Sequence, residues 1–133
     1  MFSRIHIDTM LSLRKAYQKL RQRYVLDERT DAFNGYEVLI LISSDNPRSA
    51  KDLSQLLSCK PAQITGYVSR LETLGFLKRK ISLNDKRSFT FQLTRRGKIK
   101  AKELMDTTRD IFKNSTSLTV EENIKLVTLL DKI

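Results

Sequence analysis

The residues of this sequence best suited to chemistry are cations, and two of them lie in the tetrapeptide Asn84-Asp85-Lys86-Arg87, between two runs of alternating apolar residues. Asparagine and aspartate favour tight turns, so the tetrapeptide predicts the tip of a β-hairpin. A tip of this composition faces solvent and carries positive charge, which suits the binding of phosphate groups. The alternative is a solvated turn without a partner, because lysine and arginine are common at any exposed turn.

The positive charge of the chain is concentrated in one segment. The full sequence has 25 lysines and arginines against 15 aspartates and glutamates, a net charge of +10. Between Arg48 and Lys102 there are 14 basic and 3 acidic residues, so this segment carries +11 and the two flanks together −1. A positive block confined to one module indicates a phosphate-binding surface and favours double-stranded DNA as the partner. A membrane surface fits less well, since the block is not one amphipathic helix.

A second group of candidate residues lies on a predicted helix that begins at Pro61. Proline suits the first turn of a helix, where its missing N–H costs nothing. An apolar stripe at three- and four-residue steps runs from Ile64 to Leu74, and Gly75 ends the helix. Alone, the opposite face would be an ordinary solvated surface; before a basic hairpin it indicates a helix that enters the major groove. That face carries Ala62, Gln63, Thr65, Gly66, Ser69 and Arg70.

The hairpin requires two strands to hold its tip. Phe89, Phe91 and Leu93 alternate with polar residues and would share one face of a strand. The preceding run Leu77–Leu83 alternates less cleanly, because Arg79 falls on its apolar face, yet it can pair as the partner strand. The sequence therefore predicts a two-stranded ribbon directly after the helix.

Two helices should precede the basic segment. Ile5–Leu26 has apolar residues at three- and four-residue steps, which predicts an amphipathic helix. Residues 32–43 include the apolar run Val38–Ile42, which is best buried in a core. A helix is predicted there as well, although the β-branched content would also suit a strand.

The start of the next short helix is marked by Ser49 and Asp52, which resemble a capping box. Leu53, Leu56 and Leu57 are its predicted buried positions. This helix and the one that begins at Pro61 form a helix-turn-helix, with the turn at residues 58–60.

Near the other end of the chain, Thr119-Val120-Glu121-Glu122 predicts the capping box of a last helix. Ile124, Val127 and Leu130 give this helix an apolar stripe that needs a cover. A second subunit would provide one; packing against the neighbouring helix of the same chain is the alternative.

Several classes of protein are disfavoured by composition. His6 is the only histidine and lies near a chain end, so no catalytic triad has a credible base, and no glycine-rich phosphate loop is present. One histidine and Cys59, the only cysteine, give no spacing for a metal site, and no cofactor is expected. Lacking a long apolar run or a signal peptide, the chain is predicted to be a single cytoplasmic domain, residues 1–133, with no membrane partner.

Two motifs carry a resemblance to a known family. Asp85-Lys86-Arg87, followed by Leu93-Thr94, fits the wing pattern of the MarR family of winged-helix transcription regulators, D-x-R and then L-T after five residues. Residues 68–77, VSRLETLGFL, fit the end of that family's recognition helix. The similarity covers nearly the whole chain, and a looser one extends to the SarA group. The sequence departs from the family at Gly66, where an arginine is frequent.

The resemblance implies a mainly α fold with a small β-hairpin wing, in which residues 32–94 form the winged helix-turn-helix lobe and residues 1–28 and 95–133 the dimerisation region. It implies a homodimer that binds double-stranded DNA, with Arg87 in the minor groove and Asp85 orienting it. Three alternatives stay open: a small-molecule effector, a redox role for Cys59, and an adaptor that binds proteins without specific DNA binding. Cys59 itself is predicted first as a small buried hydrophobic residue. The DNA-contacting candidates are Ser49, Lys60, Pro61, Ala62, Gln63, Thr65, Gly66, Ser69, Arg70, Asp85, Lys86 and Arg87.

Overall fold

The architecture is mainly helical with one small sheet, as the sequence predicts. The structure is a computed structural model that describes residues 4–26, 35–43, 48–81 and 89–133. Its described residues form two compact units, one within Met1–Glu28 and Thr108–Ile133 and the other within Arg29–Thr107. In chain order the elements are α1 (Ile5–Leu26), α2 (Glu37–Ser43), β1 (Arg48–Ser49), α3 (Ala50–Leu56), α4 (Pro61–Thr73), β2 (Leu77–Ile81), β3 (Phe89–Leu93), α5 (Arg95–Ser115) and α6 (Val120–Leu130).

The predicted ribbon is confirmed, and the sheet has a further strand. β2 and β3 pair antiparallel in a register that runs from Leu77 opposite Leu93 to Ile81 opposite Phe89. The two residues of β1 pair with the other edge of β3, so that the strand order is β1-β3-β2. The sequence did not predict β1, because a strand of two residues has no periodicity to detect.

The core of the second unit is built from the apolar faces of α2, α3, α4 and the sheet. Leu39, Leu53 and Ile64 have no exposed surface, and burial of each such side chain stabilises the fold by about 1.5–3 kcal/mol. Leu57 and Cys59 are partly buried and pack against this core. The prediction that Leu56 is buried is wrong: α3 has only seven residues, and this last one is 51% exposed.

The first unit contains α1, the end of α5, and α6. The predicted capping box of α6 is confirmed, since the Thr119 hydroxyl accepts the Glu122 N–H at 3.1 Å and the Glu122 carboxylate accepts the Thr119 N–H at 3.0 Å. The bond from the Thr119 backbone, with that from its side chain, lowers the pKa of Glu122. The cap therefore contributes fully above the usual carboxyl pKa and is lost as the pH falls through the lowered value.

Apolar surface remains uncovered in the first unit. None of the α6 side chains is buried, and Ile124 and Val127 are 61% and 57% exposed. Residues of α1 and α6, with Phe112, line an open groove of about 810 Å³ whose walls are largely apolar. No described helix is long and apolar enough to span a membrane.

Candidate nucleic-acid interface

The first part of the candidate interface is the capped start of α3. The Ser49 hydroxyl accepts the Asp52 N–H at 3.1 Å, and the Asp52 carboxylate accepts the Ser49 N–H at 3.2 Å, which confirms the predicted capping box. Ser49 therefore has a structural role, and its half-buried side chain lies where β1 meets α3.

The turn between α3 and α4 depends on one left-handed residue. Ser58 has φ of 51°, and the N–H of Cys59 donates to the carbonyl oxygen of Ser54 at 3.1 Å, as at a typical helix C-terminus. Glycine is the usual residue at such a position, so a serine there does not signal this conformation in the sequence. This turn connects the two helices of the predicted helix-turn-helix.

α4 has the two faces that the sequence predicts. Ile64, Val68 and Leu71 are buried in the core, whereas Leu74, the last predicted member of the apolar stripe, is 37% exposed just after the helix ends. The remaining candidate residues of the helix and its start are all exposed, and the fold brings them together along one helix: Lys60, Pro61, Ala62, Gln63, Thr65, Gly66, Ser69 and Arg70.

Side-chain hydrogen bonds tie the first turn of α4 to its backbone. The Lys60 N–H donates to Oε1 of Gln63 at 3.2 Å, which satisfies a backbone donor at the start of the helix. The Thr65 hydroxyl donates to the carbonyl oxygen of Pro61 at 3.1 Å. Both side chains are exposed, so these bonds restrict groups that face solvent.

The ribbon presents cations on one face and apolar groups on the other. Lys78 and Lys80 are exposed and pair across the strands with Gln92 and Thr90. Leu77, at the base of the same strand, is buried in the core. The predicted wing-tip residues Asp85, Lys86 and Arg87 lie outside the described residues, so their roles stay predictions.

Arg79 joins the ribbon to α4, a role that the sequence did not suggest. Its Nε donates to the Glu72 carboxylate at 2.8 Å, and its guanidinium lies 5.8 Å and 5.9 Å from the ring centres of Phe89 and Phe91. Arg79 interrupts the apolar face of β2, but its guanidinium lies near the two aromatic rings of β3 and forms an ion pair with Glu72 of α4. Period-two alternation could not reveal this, because the partner carboxylate lies on another element.

Arg79→Ala is expected to lower the free energy of unfolding by about 1 kcal/mol, since an exposed ion pair and an exposed cation–π contact each contribute about that amount or less. Urea denaturation at fixed protein concentration measures the change. Lys80→Ala is the matched control on the same strand and should stay within about 0.5 kcal/mol of the parent. Equal effects of the two substitutions would show that the contacts of Arg79 do not stabilise the ribbon.

A single threonine connects the end of α4, the ribbon and the start of α5. The Thr94 hydroxyl donates to the carbonyl oxygen of Gly75 at 2.6 Å and accepts the N–H of Gly97 at 3.1 Å. Gly75 has φ of +82°, a conformation that glycine adopts readily. The predicted L-T element of the wing motif thus ends the sheet and caps the following helix.

Comparison with known proteins relates this arrangement to one family. The family model described as "MarR family" matches residues 34–89, which include α2, β1, α3, α4 and the β2 strand of the ribbon. An HTH-type transcriptional regulator of Bacillus subtilis, YfiV, which is described as uncharacterized, is 34% identical over 62 residues. That alignment covers 47% of this chain and 39% of YfiV, so the chain matches less than half of the length of this relative.

Solved structures share the fold over a greater length. YusO from Bacillus subtilis superposes with a TM-score of 0.63 at 23% identity, covering 97% of this chain and 94% of that one. BpsR from Bordetella bronchiseptica superposes with a TM-score of 0.74 at 22% identity, covering 90% and 88%. The family model and the curated relative belong to transcription regulators and not to enzymes, in agreement with the predicted class. Residues 34–89 of the chain therefore match the MarR family, and the chain shares its fold with these solved structures over most of its length.

Proposed function

We propose that this chain is a sequence-specific regulator that binds double-stranded DNA as a homodimer, with α4 in the major groove and the ribbon tip in the minor groove. The observation that carries the proposal is the exposed face of α4, whose small and polar side chains stand on a helix anchored by Ile64, Val68 and Leu71. A helix of this kind can enter the major groove, because small side chains let its backbone approach the bases.

Electrostatics support a phosphate-rich partner. In the second unit, lysines and arginines are exposed on α3, at the start and on the outer face of α4, on β2 and along the first turns of α5. Such cations gain free energy on binding DNA by releasing the counterions condensed around the phosphates. Among the described residues of this unit, the exposed cations are Lys51, Lys60, Arg70, Lys78, Arg79, Lys80, Arg95, Arg96, Lys98 and Lys102.

The individual roles follow from the chemistry of each group. Gln63 and Thr65 would contact base edges, whereas Lys60, Ser69 and Arg70 would contact the sugar-phosphate backbone. Ser49 would contribute through the start of α3, at the edge of the interface. Small residues on α4 allow the DNA to approach the helix backbone closely. At Gly66, no described atom lies within 4 Å of the position that a Cβ would take, apart from the helix's own backbone and the chain neighbours. The small residues are Pro61, Ala62 and Gly66.

The wing residues would act in the adjacent minor groove. A guanidinium at position 87 suits a narrow groove, where negative potential is concentrated, and the Asp85 carboxylate can orient it. Lys86 would meet a phosphate as a point charge. Because DNA is the ligand, we also propose a cytoplasmic location.

Dimerisation is supported by the uncovered apolar surface of the first unit. α6 exposes Ile124 and Val127, and the groove beside it is lined by apolar residues of α1 and α6. Burying such surface in water is favourable in proportion to its area, and a second copy with the same helices offers a matching face. A two-fold dimer would present two α4 helices to major grooves about one turn of DNA apart.

The test begins with selection of bound sites from randomised duplexes, since a recovered pair of half-sites reports both sequence preference and the dimer. On the selected duplex, Arg87→Ala is expected to weaken binding by about 1–3 kcal/mol with an unchanged thermal midpoint, because an exposed contact residue contributes to binding and not to folding. Asp85→Ala should act in the same direction by less. Fluorescence anisotropy measures both.

Lys132→Ala is the matched control, because it removes an exposed cation from the first unit. It should bind like the parent. Recovery of no preferred sequence, or full affinity in the Arg87 and Asp85 variants, would contradict the proposal and favour a winged-helix module that contacts proteins.

A small-molecule effector could regulate the proposed DNA binding, and this possibility needs its own test. The solved structure of BpsR concerns the mechanism by which 6-hydroxynicotinic acid regulates the DNA binding of that protein. We propose aromatic acids as the first class of compound to test against the DNA complex of this chain, by analogy with this shared fold alone.

A further inference from the structure

Gln63 and Thr65, the two residues proposed to contact bases, each already use one hydrogen-bonding group within the helix. The Gln63 side chain accepts the Lys60 N–H through Oε1 at 3.2 Å, and the Thr65 hydroxyl donates its hydrogen to the carbonyl oxygen of Pro61 at 3.1 Å. Both bonds connect an exposed side chain to the first turn of α4. They therefore determine which hydrogen-bonding groups remain for a ligand.

For Gln63 the remaining group is a donor. A glutamine amide has one acceptor oxygen and an NH2 group with two donors, and a backbone N–H can be satisfied only by the oxygen. The bond from Lys60 fixes the orientation of the amide and holds Oε1 at the end of the helix. The Nε2 amino group is the part of the side chain left to meet a base.

For Thr65 the remaining groups are acceptors. A hydroxyl has one hydrogen and two lone pairs, and here the hydrogen points to the Pro61 carbonyl oxygen. The lone pairs of Oγ1, with the methyl group, are left to face outwards. Of these two neighbouring side chains on α4, Gln63 thus offers a ligand a hydrogen-bond donor and Thr65 offers it acceptors.

We propose that this polarity sets part of the DNA sequence preference, an inference that rests on the proposed DNA-binding function. Gln63 selects a base atom that accepts, namely N7 of guanine or adenine, O6 of guanine or O4 of thymine. Thr65 selects an amino group that donates, that of adenine or cytosine. The bidentate contact to adenine that a free glutamine makes is disfavoured, because the bond from the Lys60 N–H holds Oε1 towards the start of the helix and restricts the amide to that orientation.

Gln63→Glu tests the polarity with little change in shape. The glutamate carboxylate can still accept the Lys60 N–H, and a negative charge at a helix N-terminus is favourable, so folding should be retained. The variant has no donor for a base. At the base pair that Gln63 contacts, the preference should switch from an accepting to a donating edge, with a change of about five-fold or more in the affinity ratio.

The measurement is competition binding against a panel of duplexes in which each base pair of the selected half-site is changed in turn. Gln63→Met serves as a second variant, because it removes both the cap and the donor; it should lose the preference at that pair without acquiring a new one. Thr65→Val should lose the preference only at its own pair, and Thr65→Ser should retain it. Thermal midpoints from circular dichroism verify that each variant is folded.

The outcomes separate the inference from the proposed function. Uniformly weaker binding of Gln63→Glu with an unchanged preference profile would overturn the inference, since Gln63 would then be only a helix cap. A parent preference for cytosine in the strand that Gln63 contacts would overturn it as well, because the major-groove edge of cytosine offers only a donor. Failure of the parent chain to prefer any duplex is seen before a variant is made, and would instead contradict the proposed function.

Discussion

Gly97→Ala is expected to lower the free energy of unfolding by about 3–5 kcal/mol, among the largest effects of any single methyl group. A Cβ at this position would overlap the carbonyl oxygen of Phe76 and stand 3.0 Å from its carbonyl carbon. The atoms it meets are backbone, so no side chain can rotate away. That carbonyl also accepts the N–H of Thr94 at 3.0 Å, so any shift disturbs the junction of sheet and helix.

The chain contains its own control for this substitution. Gly66 is also helical, but no described atom lies within 4 Å of the place that its Cβ would occupy, outside its own helix backbone and neighbours. Gly66→Ala should therefore raise the free energy of unfolding by about 0.5–1 kcal/mol, because alanine restricts the unfolded chain. Urea denaturation at one protein concentration measures both variants, and a loss below about 1 kcal/mol for Gly97→Ala would mean that the junction adjusts easily.

DNA affinity is expected to fall steeply with salt, by a factor of about 10³–10⁵ between roughly 50 and 200 mM monovalent salt if the dimer neutralises on the order of six to ten phosphates. The corresponding slope of log affinity against log salt is about −5 to −9. The physical cause is counterion release at the exposed cations of the second unit, among them Lys60, Lys78 and Lys80.

Single substitutions should resolve this slope into individual phosphate contacts. Lys86→Ala should weaken binding to every duplex alike and make the slope shallower by about one for each phosphate that the variant no longer neutralises. Lys132→Ala, in the first unit, should leave the slope unchanged. A slope near zero for the parent chain would be incompatible with a phosphate-contacting interface.

Local signals in the sequence predicted much of this fold. The capping boxes at Ser49 and Thr119, the start of α4 at Pro61 and the strand pair from Leu77 to Leu93 all follow from residues within a few positions of one another. Their physics is local, so a single sequence is enough to recognise them.

Features that depend on distant partners were not predictable in the same way. The ion pair of Arg79 with Glu72 joins different elements, and β1 exists only because β3 offers it an edge. The left-handed Ser58 and the exposed Leu56 result from how a short helix meets its neighbours. In the candidate site, the sequence identified which residues of α4 face outwards, but the hydrogen bond that occupies the oxygen of Gln63 required the structure.

The bare apolar surface of α6 has a consequence for how the proposed DNA binding would depend on the abundance of this protein. If two chains must meet before either terminal unit is covered, active protein at low expression rises with the square of chain concentration. Promoter occupancy would then change over a narrower range of synthesis rate than a monomer allows. Unpaired chains, with Ile124 and Val127 uncovered, would also be the ones exposed to proteolysis, which sharpens the threshold further.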